Sequence, residues 1–89
     1  MAVLMVPSSL RRYTNQQSRI SLSAGSIEEA LRRFAQDSCE LRNHLFSGKA
    51  LRKFIVVCKN GQDIRLLDGL QTPVSDADEV QIIASVAGG

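Results

Sequence analysis

The sequence predicts an α+β fold in which one main helix packs across a mixed β-sheet. Three observations indicate this class: one strongly amphipathic helix near residue 27, short strand-like segments on both sides of it, and a length of 89 residues that leaves room for one domain. Apolar residues make up 44% of the chain, and a domain of this size needs most of them for one core. Few remain to line a deep pocket, so we expect a module that acts through partners and not an enzyme.

Two strands are predicted before the main helix. Residues 2–6 form an apolar run that stops at Pro7, because proline cannot donate a hydrogen bond to a neighbouring strand. Residues 8–18 are polar and are predicted to form a loop. Residues 19–22 alternate polar and apolar side chains, as a half-buried strand does. These segments together predict an antiparallel pair.

A capping box predicts where the main helix starts. Ser26 can accept a hydrogen bond from the amide three residues later, and Glu29 can reach back to the Ser26 amide. Two Glu–Arg pairs at a spacing of four residues, 28 with 32 and 29 with 33, favour a solvated face over a phosphate site, each pair contributing about 0.2–0.5 kcal/mol. The opposite face carries an apolar stripe at helical spacing: Ile27, Ala30, Leu31, Phe34 and Ala35.

Residues 38–50 are predicted to contain a short second helix that ends near Gly48. The helical spacing of three large apolar residues indicates it: Leu41, Leu45 and Phe46. Residues 51–59 include a β-branched run that is apolar on both faces, which predicts a central strand.

A hairpin and a last strand complete the predicted sheet. Asn60-Gly61 predicts a tight turn, because both residue types tolerate a positive φ. Residues 63–66 are predicted to return as the second strand of the hairpin. Residues 79–86 are predicted to form the last strand.

Charge and aromatic content argue against a nucleic-acid binder. The chain has eleven Lys and Arg residues and nine Asp and Glu residues, which gives a formal net charge of +2. Nucleic-acid-binding proteins usually carry a large basic excess. A small RNA-binding domain that uses Arg11, Arg12 and Tyr13 stays open as an alternative. The apolar N-terminal run is too short to span a bilayer, so no membrane partner is expected.

Side chains suited to catalysis or metal binding are few. His44 is the only imidazole, and we interpret it as a surface or packing residue. Cys39 and Cys58 lack the spacing of metal ligands, which indicates small structural thiols in a reduced, cytoplasmic protein without a zinc site. We expect no bound cofactor and no catalytic activity of the chain's own.

The closing Gly-Gly is the feature that points to chemistry. At average glycine usage such a pair arises by chance roughly once in two hundred chains. A last strand that ends near Val86 predicts a domain of residues 1–86 and a flexible C-terminal tail of residues 87–89. A tail that ends without Cβ atoms can enter a narrow channel and present its carboxylate to the α-phosphate of ATP. A frayed end or a cloning remnant is the alternative.

Three segments combine into a specific pattern: NGQDIRLLDGLQTP at residues 60–73, SDADEVQII at 75–83 and VAGG at 86–89. Together they resemble the prokaryotic ubiquitin-like sulfur carriers of the ThiS/MoaD family, and most of all the carriers that serve cysteine biosynthesis. The resemblance implies a ubiquitin-like β-grasp fold, which agrees with the ββα order of the first half. Three positions depart from the family pattern: Lys59, Ala77 and Ala84.

The resemblance also implies a mechanism and partners. A ubiquitin-activating-enzyme-like adenylyltransferase would consume ATP to adenylate the C-terminal carboxylate, and a sulfur donor would replace AMP to give a thiocarboxylate. A pyridoxal-phosphate-dependent cysteine synthase would then accept the sulfur. The alternatives are a small subunit of molybdopterin synthase, a thiazole-pathway carrier, or a ubiquitin-like modifier of lysines.

By the same resemblance, four residues at the end of the chain would do the chemistry. Gly89 would carry the adenylate and then the sulfur, Gly88 would allow passage through a narrow channel, and Ala87 with Val86 would dock the tail.

Three further residues are candidates for a partner surface on the domain itself. Leu70 and Ile82 are candidates for an apolar patch, with the core as the alternative place for both. Arg65 is a candidate to pair with an acidic partner. The free protein is expected to be a monomer.

Overall fold

A five-stranded mixed sheet carries the fold, and the computed structural model describes residues 1–84. The strands are β1 Ala2–Met5, β2 Arg19–Leu22, β3 Phe46–Ser47, β4 Ala50–Leu51, β5 Ile55–Lys59, β6 Gln62–Asp63 and β7 Glu79–Ala84. The α-helices are α1 Ile27–Phe34 and α2 Cys39–Leu45, and three short 3-10 helices span Ser8–Tyr13, Ile64–Leu66 and Gly69–Gln71.

The strand order in the main sheet is β2-β1-β7-β5-β6. β1 pairs antiparallel with β2 and parallel with β7, while β5 pairs antiparallel with β7 along its whole length. β3 and β4 form a separate small hairpin. The predicted opening pair and the mixed sheet are confirmed. The strand predicted within residues 51–59 is β5, which lies inside the sheet between β7 and β6, although β7 takes the middle position and β5 meets β6 only at Cys58 and Lys59.

The core lies between α1 and the inner face of the sheet. The predicted helical stripe is confirmed, with Ile27, Leu31 and Ala35 fully buried. Opposite them, every second residue of the central strands points inward, as the two-residue period of a strand requires: Leu4, Val57, Val80 and Ile82. Burying a side chain of this kind contributes about 1.5–3 kcal/mol, so this layer holds the sheet and helix together.

The start of α1 agrees with the capping prediction except for the partner of Glu29. Ser26 Oγ accepts from the Glu29 amide at 3.2 Å, as predicted. The Glu29 carboxylate accepts from the Gly25 amide at 2.6 Å and not from the Ser26 amide, so the return bond lies one residue earlier. Both predicted ion pairs form, with N–O distances of 3.1 Å from Arg32 to Glu28 and 3.8 Å from Arg33 to Glu29.

Three local predictions are wrong in their bounds or type, because short 3-10 helices and a tight turn form where longer elements or a loop were expected. Part of the expected loop at residues 8–18 is the 3-10 helix Ser8–Tyr13. The second helix, α2, ends at Leu45 and not near Gly48, because Gly48 adopts a φ of +67° in the turn between β3 and β4. The return strand stops at Asp63, whose carboxylate accepts from the Arg65 amide at 2.8 Å and so starts a 3-10 helix.

The predicted turn at Asn60-Gly61 is confirmed, with φ values of +51° and +83°. The Asn60 side chain joins it to the loop before β7 by donating to Asp78 at 2.9 Å. Asp78 also accepts from the Ser75 amide at 2.8 Å and lies 3.5 Å from Lys59 Nζ, and these bonds lower the pKa of the Asp78 carboxyl to about 2. Residues 75–78 include no positive φ, so an alanine at position 77 fits this loop without strain.

Across residues 1–84, no helix has both the length and the apolar character needed to cross a bilayer.

Candidate functional site

The central strand β7 leads in sequence to the predicted tail. It is bonded on both sides, to β1 and to β5, and its Val80 and Ile82 side chains are 1% and 2% exposed. A strand paired on both edges and anchored in the core is among the last parts of a domain to open. The predicted tail therefore follows a strand that is anchored in the core and paired on both edges. Val86, Ala87, Gly88 and Gly89, and with them the predicted boundary after residue 86, lie outside the described residues.

The Ile82 side chain does not lie on the surface of the domain. It points into the core, which is the alternative that the sequence left open for it. Its neighbour Ile83 points the other way and is 43% exposed. Side chains alternate along a strand, so the burial of Val80 and Ile82 places the Ile83 side chain on the outer face. This alternation in the sequence is the signal that could have identified Ile83 as a surface residue.

An apolar patch lies on the outer face of the sheet around Ile83. Val56 of β5 is aligned with Ile83, and Met5 of β1 is aligned with Gln81, two residues before it in β7. Both apolar neighbours are half-buried, so the sheet shows solvent a surface made of side chains from three strands. We call Val3, Met5, Val56 and Ile83 the outer-sheet patch.

A shallow groove of about 390 Å³ lies beside the patch, at the end of β7. It runs between the chain that leaves β1 and the last described residue of β7. Its lining combines apolar and basic side chains: Met5, Val6, Pro7, Arg11, Ser18, Arg19, Gln81, Ile82, Ile83 and Ala84. The patch and the groove together form a surface that a partner can cover next to the base of the tail.

The other two candidate surface residues lie on the opposite side of β5. Leu70 is half-buried and packs against the core. Arg65 is exposed but engaged, since its guanidinium lies 2.6 Å and 3.0 Å from Asp63 Oδ2. Hydrogen bonds from Arg65 lower the pKa of Asp63, which keeps this pair ionised. The sequence reasoning missed Leu66, which is 75% exposed beside them.

Neither cysteine is built into a site. Cys39 is exposed at the first position of α2, so it is not a packed structural thiol, while Cys58 is half-buried in β5. His44 packs against Tyr13 with 5.9 Å between the ring centroids, which agrees with a packing role. In the part of the chain that the structure describes, no three His, Cys, Asp or Glu side chains are grouped to hold a metal ion.

The first loop is occupied by contacts within the protein. Arg12 lies 5.0 Å from the Tyr13 ring centroid, donates to the Tyr13 hydroxyl at 2.9 Å and pairs with Glu40 at 3.4 Å. Arg11 Nε donates to the Val6 carbonyl at 3.2 Å. These bonds leave little of the first loop free to stack or pair with RNA.

Comparisons with known proteins match this chain over nearly its whole length. A family model described as the ThiS family matches residues 4–89. The sulfur carrier protein CysO of Mycobacterium tuberculosis (strain ATCC 25618 / H37Rv) is 28% identical over 87 residues, which cover 94% of each chain.

Solved structures confirm the predicted ubiquitin-like β-grasp fold. A chain of the crystal structure of the Amycolatopsis orientalis BexX/CysO complex is 26% identical with a TM-score of 0.90, covering 100% of both chains. The solution structure of small archaeal modifier protein 1 from Methanosarcina acetivorans is 26% identical with a TM-score of 0.84, covering 99% of this chain and 95% of the other.

Proposed function

Because the chain belongs to the ThiS family, we propose that it is a sulfur carrier whose Gly89 carboxylate is adenylated and then converted to a thiocarboxylate. The observation that carries this proposal is the family match, which runs from residue 4 through the closing Gly-Gly. The identity to CysO over 94% of the chain supports the same role. In this role the chain is a co-substrate, and its partners are the catalysts.

The chemistry consists of two substitutions. A Gly89 carboxylate oxygen attacks the α-phosphorus of ATP, and pyrophosphate leaves. Hydrosulfide, or a sulfur donor of the same oxidation state, then attacks the acyl carbon, a C–S bond forms, and AMP leaves with the former carboxylate oxygen. The first step is needed because a free carboxylate is a poor electrophile, whereas an acyl phosphate carries a good leaving group. Neither step needs an oxidant.

The partner must surround the reacting end without touching much of the domain. Gly88 and Gly89 lack Cβ atoms, so the tail can enter a channel too narrow for a branched side chain. We propose that the outer-sheet patch rests against the activating enzyme while the tail is inside it. The patch suits this task because Ile83 lies one residue before the end of β7.

A pyridoxal-phosphate-dependent cysteine synthase is the proposed acceptor of the sulfur. The likeness to the sulfur carrier protein CysO supports this branch. The cofactor belongs to the acceptor, and ATP to the activating enzyme. The carrier is proposed to act in the cytoplasm.

A second candidate function is conjugation of Gly89 to lysines of other proteins. The likeness to small archaeal modifier protein 1 favours it. Isopeptide-linked adducts of the chain in cells of its own organism would support this function, and their absence under all growth conditions would leave the carrier role alone.

Intact-mass spectrometry tests the carrier proposal. The chain is incubated with the activating enzyme encoded by the same organism, ATP and sodium sulfide. We expect a mass gain equal to the difference between a sulfur and an oxygen atom, and no gain without ATP.

Tail variants assign the gain to a residue. Deletion of Gly89 and the substitution Gly88→Val should both abolish it, while Ser23→Ala, an exposed change in the loop after β2 at the end of the sheet where β7 begins, should retain it. The thermal unfolding midpoints of the tail variants should match that of the wild type. A mass gain that survives deletion of Gly89 would contradict the proposal.

A further inference from the structure

The charges of this chain are strongly segregated, although the total is nearly balanced. Between Glu40 and Asp63 the sequence holds five basic residues and no acidic one, whereas the rest of the chain holds six basic and nine acidic residues. The five basic residues are Arg42, Lys49, Arg52, Lys53 and Lys59. The low net charge therefore conceals a locally basic segment.

This segment folds beside the base of the tail. Ile55, the first residue of β5, is aligned with Ala84, the last described residue of β7. The Ile55 amide donates to the Arg52 carbonyl at 3.0 Å, which turns the chain just before the strand. Arg52 and Lys53 thus lie next to the point where β7 ends.

The remaining members are held close to Arg52. Arg52 Nε donates to the Asn43 carbonyl, which ties residue 52 to helix α2 and to its exposed Arg42. Lys49 is exposed in the turn of the β3–β4 hairpin, where the positive φ of Gly48 permits a tight connection. The hairpin continues directly into Arg52.

The two carboxylates that flank this segment in the sequence are already paired. Glu40 is paired with Arg12 at 3.4 Å, and Asp63 is paired with Arg65 at 2.6 Å. Each of these acids is thus matched by a cation from outside the basic segment.

Lys59 is the exception among the five, since it pairs with Asp78 at 3.5 Å and donates to the Pro73 carbonyl at 2.7 Å. The other four have no carboxylate within 4 Å among residues 1–84. We call Arg42, Lys49, Arg52 and Lys53 the basic rim.

We propose that the basic rim docks on an acidic protein surface of the activating enzyme, next to the opening that admits the tail. The inference rests on the proposed function and adds the chemistry of the partner's surface. Charges at the edge of an interface act mainly on the rate of encounter and make it dependent on salt. A carrier that must be released after each reaction gains from this, because faster encounter does not slow its departure.

The same cations could in principle contact RNA, but the aromatic groups around them do not favour it. The Tyr13 ring is already in contact with the Arg12 guanidinium and the His44 ring, at 5.0 Å and 5.9 Å. Phe54 beside Arg52 is half-buried. Recognition of single-stranded RNA usually needs free aromatic faces on which bases stack. The observations therefore favour an acidic protein surface.

Charge reversal tests the basic rim. The double variant Lys49→Glu/Lys53→Glu changes two exposed side chains. Every basic residue outside the rim contacts another group within residues 1–84, so the control is taken at the longest of these contacts, the exposed ion pair of Arg33 with Glu29 at 3.8 Å. The matched control is Arg33→Glu on α1, compared with the single variant Lys53→Glu, which changes the net charge by the same amount. Circular dichroism and thermal unfolding verify that each variant is folded.

The measurement is the kcat/KM for pyrophosphate release by the activating enzyme encoded in the same organism, at low and high NaCl. For the wild type we expect kcat/KM to fall as salt rises. Lys49→Glu/Lys53→Glu should lower it about tenfold or more at low salt with kcat unchanged, and should flatten the salt dependence. Lys53→Glu should have an intermediate effect, and Arg33→Glu should stay close to the wild type.

The outcomes separate this inference from the proposed function. If adenylation proceeds but Lys53→Glu and Arg33→Glu behave alike, the basic rim proposal is wrong and the carrier role stands. If binding of single-stranded RNA is lost in Lys49→Glu/Lys53→Glu while kcat/KM is unchanged, the partner of the rim is RNA and the proposal is overturned. If the wild type is never adenylated, both proposals fail.

Discussion

Two neighbouring isoleucines of β7 should respond to mutation in opposite ways. Ile82 is 2% exposed and belongs to the core, so Ile82→Ala removes buried methyl groups and leaves a cavity, at a cost of about 2–5 kcal/mol. A domain of 89 residues has a total stability of roughly 4–13 kcal/mol, so this single change consumes a large part of it. Ile83 is 43% exposed, and Ile83→Ala should cost about 1 kcal/mol or less.

The functional effects should be reversed. If the outer-sheet patch docks on the activating enzyme, removing Ile83 loses about 1–2 kcal/mol of contact, or roughly 5- to 30-fold in kcat/KM. Ile82→Ala should leave kcat/KM near the wild-type value at a temperature where the variant stays folded.

Urea denaturation and pyrophosphate release measure the two effects on the same samples. The urea midpoint should fall sharply in Ile82→Ala and little in Ile83→Ala, and kcat/KM should show the opposite order. Equal losses of stability in the two variants would refute the assignment of their faces. An unchanged kcat/KM in Ile83→Ala would refute the docking role of the patch.

Three further changes test the local structure. Ser26→Ala removes the hydrogen bond to the Glu29 amide and should destabilise the domain by about 1 kcal/mol in urea unfolding; an unchanged midpoint would contradict the capping role. Gly61→Ala places a side chain at a φ of +83°, where no atom lies within 4 Å of the new Cβ. Its expected cost of about 1–2 kcal/mol in the free energy of unfolding is therefore conformational. Gly25→Ala, at a glycine of ordinary φ, is the control and should cost less. Asp78→Asn removes a carboxylate whose pKa is lowered to about 2, chiefly by the Ser75 amide. The ionised Asp78 stabilises the fold at pH values above its ordinary pKa of 3.8, and this stabilisation is lost as the pH falls through about 2. The difference in urea midpoint between the wild type and Asp78→Asn should therefore narrow over that pH range. A difference that does not depend on pH would contradict this role of Asp78.

Local signals in the sequence predicted the elements that depend on neighbours along the chain. The start of α1 at Ser26 and the turn at Asn60-Gly61 are fixed by side chains and φ preferences within a few residues. The place of each strand in the sheet is not local. β5 and β7 each have a partner on both sides, and β7 takes the middle position because β1, from the other end of the chain, pairs with it in parallel.

The candidate site also combines a part that depends on local sequence with a part that depends on how the strands are placed. A resemblance at the end of the chain predicts Gly89 as the reacting group, which lies outside the described residues, whereas the surface next to the tail depends on which residues of β7 face outward. The sequence left Ile82 open between that face and the core, and the structure places Ile82 in the core and Ile83 on the face. The basic rim was hidden because a net charge of +2 averages over residues that the fold separates.

The most direct test of the carrier role is the intact mass of the protein purified from its own organism. We expect a polypeptide that ends at Gly89, with a fraction heavier by the replacement of one oxygen by sulfur, and this fraction should disappear when the gene for the activating enzyme is deleted. A natural chain that continues uncleaved beyond Gly89 would contradict the account, because no glycine carboxylate would then exist to be activated.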